Sequence, residues 1–277
     1  MSHLMRDDAP LTGSEWRRID DAVVTAARRN LIGRRFIPIF GPLGPGTESV
    51  QFGRFSARSR GSVSLSGHSD AGPAIYDESF CQPLPMLYGD FVLYWRNIEW
   101  SRMMGAPLDT GAVTDAVVAL AQLEDDLIFN GNADLGLEGI FNASGRNTIA
   151  LGDWEQGKRA FDDVVAAVST LTDAGHTRPY VLVLSPKLFG LAHRIFDNTG
   201  VLEIKQIKGV LGGGVYPSPA VKDKAAVISL GAENMDLAIG QDMVTAYLTA
   251  EYMNHIFRVM ETITLRIKRA DAICTLE

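Results

Sequence analysis

Residues 11–46 constrain the fold most, because an amphipathic helix with a defined start leads directly into a segment rich in Arg, Gly and Pro. Thr12 and Glu15 have the spacing of a capping box, in which the Thr hydroxyl caps the helix and the Glu carboxylate binds the cap's N–H. Leu11 and Trp16 occupy the two positions of a hydrophobic staple. Apolar residues then recur on one side of the helix, at Trp16, Ile19, Val23, Ala26, Ala27 and Leu31. The sequence therefore predicts a helix over residues 12–31 whose apolar side must pack on another element.

Composition limits the class of protein. The chain has 277 residues, of which 46% are hydrophobic, enough to bury a core in one large domain or two lobes. It contains no apolar run of about eighteen residues and no apolar signal core at its start, so we expect a cytoplasmic protein without membrane contact. Two reduced thiols, Cys81 and Cys274, are favoured over a disulfide. The net charge of −7 argues against a nucleic-acid partner, which a basic arm would have to neutralise.

Residues 49–82 change in character, because serine and glycine dominate and large apolar residues are few. Val50, Phe52 and Phe55 alternate with polar residues, as do Val63 and Leu65. We expect these two runs to pair as a hairpin with its turn at residues 56–61. Since an isolated two-stranded ribbon is marginal in water, it is either a mobile loop or is ordered by a neighbouring subunit.

The remainder predicts a mixed α+β fold. Helical periodicity marks residues 109–130 and 161–174, the second closed by Gly175, and Ser185 with Pro186 begins a further helix. The apolar run at 180–184 predicts a buried strand. Further strands are expected at 225–230, 237–240, 244–248 and 257–268, the last with one covered face.

A search for catalytic chemistry finds little. Glu124, Asp125 and Asp126 are consecutive on a predicted helix, so their side chains diverge and do not favour a metal site. Residues 212–214 are glycines but lack the Lys and Ser/Thr of a phosphate-binding loop. We therefore expect no catalytic residue and no metal ligand. An enzyme with a dispersed active site stays an alternative.

Several segments, in order along the chain, resemble those of the encapsulins, which are prokaryotic shell proteins with the HK97-type phage capsid fold. The residues after the first helix, 33–44, contain the Arg-Arg-Phe-Ile-Pro-Ile-Phe-Gly-Pro-Leu-Gly motif. Others lie at 85–96, where the family enters its spine helix, and at 123–131, 139–140, 175–186, 234–239 and 271–277. The chain looks most like the myxobacterial type that stores iron.

The resemblance implies a P-domain, an A-domain and an extended E-loop. The corresponding ranges are 1–48 for the first helix and the start of the P-domain, 49–82 for the E-loop, 83–145 for the P-domain with its spine helix, 146–230 for most of the A-domain and 231–277 for the return strands of the P-domain. It also implies a homo-oligomer, an icosahedral shell of sixty copies or a multiple of sixty.

The resemblance further implies a cargo protein whose C-terminal targeting peptide docks inside the shell. The apolar side of the first helix has no obvious partner within one subunit, and with a strand at 36–40 it is expected to form the groove. The cargo-binding residues would be Leu31, Arg34, Ile37 and Ile39.

Three further expectations follow from the same resemblance. Trp95 occupies a position that can stack a flavin, with packing between subunits as the alternative, and no cofactor is required. Asp197, Asn198 and Thr199 would lie at the five-fold pore. A ferritin-like iron oxidase is the expected cargo, a peroxidase the second choice, and a phage or prophage capsid protein the alternative function.

Overall fold

The computed structural model describes residues 2–55, 61–67, 75–196 and 200–277, which fold into two lobes built on separate β-sheets. The α-helices of these residues are α1 (Gly13–Asn30), α2 (Trp95–Met104), α3 (Gly111–Asn130), α4 (Arg159–Asp173), α5 (Pro186–Leu191) and α6 (Glu203–Leu211). Their β-strands are β1 (Ile39–Phe40), β2 (Ser49–Arg54), β3 (Glu78–Pro83), β4 (Met86–Leu93), β5 (Asn147–Ile149), β6 (Tyr180–Leu184), β7 (Gly212–Pro217), β8 (Ala225–Ser229), β9 (Met235–Glu251), β10 (Asn254–Ile267) and β11 (Ile273–Leu276). None of the helices in these ranges combines the length and apolarity needed to span a membrane.

The start of α1 is the capping box that the sequence predicts. Glu15 N–H donates to the Thr12 hydroxyl at 3.3 Å, and Thr12 N–H donates to the Glu15 carboxylate at 2.6 Å. Arg102 donates to the same carboxylate at 2.9 Å, and this hydrogen bond holds the pKa of Glu15 below its usual range. The start of α1 is thereby tied to α2, the helix that carries Arg102.

The apolar side of α1 is buried within the subunit, so the expectation that it lacks a partner there was wrong. Trp16, for example, packs edge-on against Phe257 of β10, with ring centroids 5.7 Å apart. The reason is that α1 and α3 lie side by side over the first sheet, which leaves no room for a second chain beneath α1.

The first sheet has the strand order β1-β9-β10-β4 among the described residues. The strand predicted at 257–268 is confirmed as β10, which pairs antiparallel with β4 and β9. The two strands predicted at 237–240 and 244–248 form one strand, β9, with a bulge near residue 242. The bulge arises where Gln241 N–H donates to the Thr262 hydroxyl at 2.7 Å instead of following the regular ladder.

The ribbon at residues 49–82 differs from the predicted hairpin. β2 pairs with β3, whereas Val63 and Leu65 lie outside any strand and are fully exposed. β3 is the better partner because Phe80 stacks on Phe52, with ring centroids 5.6 Å apart, and Gln82 donates to the Thr264 hydroxyl at 2.7 Å.

The second sheet has the order β5-β11-β8-β6-β7. The buried strand predicted at 180–184 is β6, and alternate side chains of it enter the core shared with the first lobe and the core under α4 and α6. Burial on both faces explains its continuous apolar sequence. β11, the last strand of the range 231–277, joins this sheet and pairs parallel with β5 and antiparallel with β8.

The predicted helices hold with small changes of boundary. The range 109–130 becomes α3, and the range 161–174 becomes α4. Ser185 accepts a hydrogen bond from Leu188 N–H at 3.3 Å and so caps α5 as expected. Residues 95–104 form a separate helix, because Gly105 adopts a left-handed conformation with φ 62° and Pro107 follows it.

Candidate functional site

The turn after α1, residues 31–35, is held on α3 by Asp125. Its carboxylate accepts hydrogen bonds from Gly33 N–H at 2.9 Å and Ile32 N–H at 3.1 Å. Burial raises the pKa of Asp125 to about 7, although the two backbone donors oppose that rise. A Cβ at Gly33 would lie 2.6 Å from Ile128 Cδ1, so a larger residue here would require that buried side chain to shift. The turn therefore has a fixed position relative to α3.

Arg34 extends from this turn into a group of three carboxylates. Its Nε donates to Glu124 of α3 at 2.8 Å, and its other nitrogens bind Asp242 at the β9 bulge, at 2.6 Å, and Glu261 of β10. The Glu124 and Glu261 side chains are fully buried, whereas that of Asp242 is 66% exposed. Burial, followed by the negative charge of Glu124, raises the pKa of Glu261 well above its usual value. One guanidinium therefore joins the turn, α3 and both long strands.

A surface cleft opens beside Arg34, between the C-terminal half of α1 and the β9 bulge. We call it the α1 groove; its volume is about 410 Å³. Apolar groups of Val24, Leu31 and Met243 line it. Val24 is 48% exposed, because it lies outside the buried side of α1. The complete lining is Val23, Val24, Ala27, Arg28, Leu31, Arg34, Arg35, Asp242 and Met243. An apolar floor with charged groups at the rim suits a short peptide with apolar side chains.

The structure brings together only part of the predicted cargo site. Leu31 and Arg34 line the α1 groove. Ile37 is 3% exposed and packs in the core, and Ile39, 53% exposed on β1, lies outside the lining. The strand expected at 36–40 is shortened to Ile39–Phe40, because Phe36 turns inward to stack on Tyr216 with a centroid distance of 5.1 Å.

Sequence reasoning missed the remaining groove residues. Val24 was detectable in principle, since it is an apolar residue off the buried side of α1. Asp242 and Met243 were not, because only the bulge in β9 brings them beside Arg34.

Trp95 lies at the first turn of α2 and is half-buried, with the Arg96 guanidinium 5.6 Å from its ring centroid. Several large apolar and aromatic side chains are exposed in this part of the subunit, among charged ones such as Arg96 and Glu99. They are Tyr94, Trp100, Met103 and Met104 of the α2 segment and Tyr252 and Met253 at the β9–β10 turn. Such a surface is typical of a protein interface.

The three predicted pore residues, Asp197, Asn198 and Thr199, lie outside the described residues. The chain on either side of them is joined, since Phe196 N–H donates to Val201 O at 2.7 Å.

Reactive groups elsewhere in the described ranges are few, and no three His, Cys, Asp or Glu side chains there are placed so that they could hold a metal ion. Cys274 is buried in β11, and burial raises the pKa of its thiol to about 11, which disfavours the nucleophilic thiolate.

Comparison with known proteins identifies the family. Residues 1–264 match the sequence family described as "Encapsulating protein for peroxidase". The type 1 encapsulin shell protein EncA of Myxococcus xanthus is 46% identical over 269 residues, which are 97% of this chain and 94% of that protein. The chain belongs to the encapsulin family. It is thus a shell protein, as the resemblance in its sequence implied.

Two further relatives show the range of the family. The diheme-cytochrome-encapsulin shell fusion protein of Kuenenia stuttgartiensis is 40% identical, covering 95% of this chain and 72% of the fusion. The type 1 encapsulin shell protein of Mycobacterium tuberculosis is 27% identical over 98% of both chains.

Solved structures show the fold. A virus-like particle subunit from Pyrococcus furiosus superposes with a TM-score of 0.77 at 18% identity, covering 95% of this encapsulin and 99% of that chain. The capsid of an empty GTA particle gives a TM-score of 0.66 at 15% identity, with 89% of both chains covered. The predicted α+β fold of the HK97 type is therefore confirmed.

Proposed function

We propose that this encapsulin closes into an icosahedral compartment of sixty copies, or a multiple of sixty, and captures a cargo enzyme. The α1 groove carries the second part of this proposal, because it offers exposed apolar groups beside a fixed guanidinium. A C-terminal peptide of the cargo would place apolar side chains on Val24, Leu31 and Met243. The role of the shell is structural, in the cytoplasm, with no covalent chemistry of its own.

The apolar surface around α2 supports assembly. Trp100 and Met104 are four residues apart and so share one side of the helix, and both are exposed in the single subunit. We assign this surface, together with the β2–β3 ribbon of the E-loop, to contacts between neighbouring subunits. Trp95 then packs at such a contact, and flavin binding stays a prediction.

The cargo is proposed to be a ferritin-like iron oxidase, which makes the compartment an iron store that protects the cell from oxidative stress. The 46% identity to the myxobacterial shell protein supports this choice, since the sequence already resembled that type. A peroxidase cargo is the second candidate, favoured by the family description "Encapsulating protein for peroxidase". Pore residues Asp197, Asn198 and Thr199 would admit the iron.

Co-expression with a ferritin-like protein that ends in a C-terminal targeting peptide tests the docking site. Val24→Asp puts a charge among the apolar groups that a docked peptide would cover, and the peptide would have to remove water from that carboxylate, so cargo in purified shells should fall at least roughly tenfold. Thr25→Asp is the matched control, because it adds the same charge at the neighbouring exposed position of α1, outside the groove lining.

Electron microscopy should find closed particles for both variants, and the ratio of cargo to shell is read from a denaturing gel. Unchanged loading of Val24→Asp shells would refute docking in the α1 groove. If Ile39→Asp abolishes loading instead, the docking site is at β1, as the sequence alone suggested.

A further inference from the structure

Arg34 is bound by more negative charge than it can balance. Glu124, Glu261 and Asp242 all contact the one guanidinium, and the first two side chains are fully buried. If both buried carboxylates were ionised, two negative charges would face one positive charge in the absence of water. Like charges at such close range make the second ionisation unfavourable.

The hydrogen bonds of the two buried carboxyl groups point the same way. Glu124 and Glu261 accept from the same guanidinium, and Glu261 Oε1 has no hydrogen-bond partner among the described residues. Two carboxylates only accept hydrogen bonds, so they repel unless one is protonated and donates.

Among the described residues, Arg34 is the one cation that contacts Glu261. The charged groups that face Glu261 are Arg34 from the turn, Glu124 from α3 and Asp242 from β9. On the adjacent strand β4 its partner is Leu87, which carries no charge. Asp125 follows Glu124 along α3 and adds a further carboxyl group near the turn, where the positive charge of Arg35 acts on it.

We infer that Glu124 and Glu261 share one proton, and that this singly charged pair positions Arg34 in the wall of the α1 groove. With one proton, the buried pair and Arg34 sum to zero charge. Asp242, which is exposed, completes the geometry from the solvent side. Loss of the proton at alkaline pH leaves an uncompensated buried charge, which separates the turn from β10 and alters the groove.

The consequence for cargo rests on the proposed docking function. Because Arg34 belongs to the groove wall, peptide binding should weaken as the shared proton leaves. Glu124 and Glu261 would then be positioning residues that never touch the peptide, so the test needs a measurement of the proton itself.

Infrared spectroscopy of empty shells with isotope-labelled glutamate supplies that measurement. At about pH 7.5 an ordinary Glu is ionised, so a carbonyl stretch of a neutral carboxylic acid should come from the shared proton alone. The band should be present in the wild type and lost in Glu261→Gln. Glu138→Gln is the matched control, because Ser144 and Arg54 hold the pKa of Glu138 below its usual range despite burial.

Binding of a synthetic cargo C-terminal peptide gives the second readout. As the pH is raised from about 7.5 until the neutral-acid band is lost, the wild-type affinity should fall roughly tenfold, whereas that of Glu261→Gln, which cannot ionise, should change less than about twofold. If Glu261→Gln does not fold, Glu124→Gln takes its place in both experiments.

The two proposals fail separately. A peptide that binds at no pH refutes docking but leaves the infrared band as evidence for the shared proton. An absent neutral-acid band, or a band that persists in both glutamine variants, refutes the shared proton.

Discussion

Asp125 makes the stability of the shell subunit depend on pH. Its pKa is raised from the ordinary 3.8 to about 7, chiefly because it is buried between α3 and the turn. A carboxyl group with a raised pKa stabilises the folded chain below its unfolded pKa, and that contribution is lost as the pH rises through the folded value.

The size of the effect follows from the shift. Between pH 5 and the folded pKa of about 7 lie about two pKa units of the shift, and each unit corresponds to about 1.4 kcal/mol. The free energy of unfolding should therefore fall by about 3 kcal/mol between about pH 5 and pH 8. For a subunit of this size such a loss lowers the melting temperature by roughly 8 °C.

Asp125→Asn should remove this dependence, because the amide keeps an oxygen for Gly33 N–H and does not titrate. Calorimetry of empty shells at several pH values measures the melting temperature of each variant. Relative to the wild type, Asp125→Asn should gain roughly 8 °C between about pH 5 and pH 8.

Asp126→Asn is the control, since Asp126 is exposed and accepts a hydrogen bond only from Asn130 among the described residues. Its difference from the wild type should stay constant with pH. If the difference for Asp125→Asn is also constant, Asp125 does not titrate in this range and the argument from burial fails.

Three other predictions concern separate parts of the subunit. Phe257→Ala removes a ring that contacts three aromatic neighbours in the core. The free energy of unfolding, measured by denaturant titration, should fall by about 3–5 kcal/mol, and a loss below about 1 kcal/mol would contradict this packing. The buried Trp154 indole N–H donates to Asp163 at 2.9 Å, so Asp163→Ala leaves it without an acceptor and should lower the free energy of unfolding by about 2–3 kcal/mol. Asp162→Ala, on the exposed side of α4, should change the free energy of unfolding little. Asp197→Lys should slow ferrous iron uptake by loaded shells and remove its dependence on salt, and equal rates at low ionic strength would exclude this residue as the electrostatic entrance.

Much of the local structure could be read from the sequence. The capping box of Thr12 and Glu15, the buried strand β6 and the cap at Ser185 depend on residues that are neighbours along the chain. Their signals are therefore contained in short windows of sequence, and the structure has them where they were expected. Motifs in register along the chain were also sufficient to reach the family and its fold.

The tertiary structure alone decided the groove. Arg34 meets Glu124, Asp242 and Glu261 across separations of 90, 208 and 227 residues, so no local pattern could assign its partners. The position of Asp242 depends on the bulge in β9, where the Thr262 hydroxyl on the neighbouring strand accepts the Gln241 N–H. Periodicity predicted that one side of α1 is buried. It did not predict whether the first sheet of the same subunit or a neighbouring subunit would cover that side, because this depends on how the elements pack together. The physical reason is that helix periods and caps are set by adjacent residues, whereas strand pairing, burial and charge balance depend on which distant segments meet.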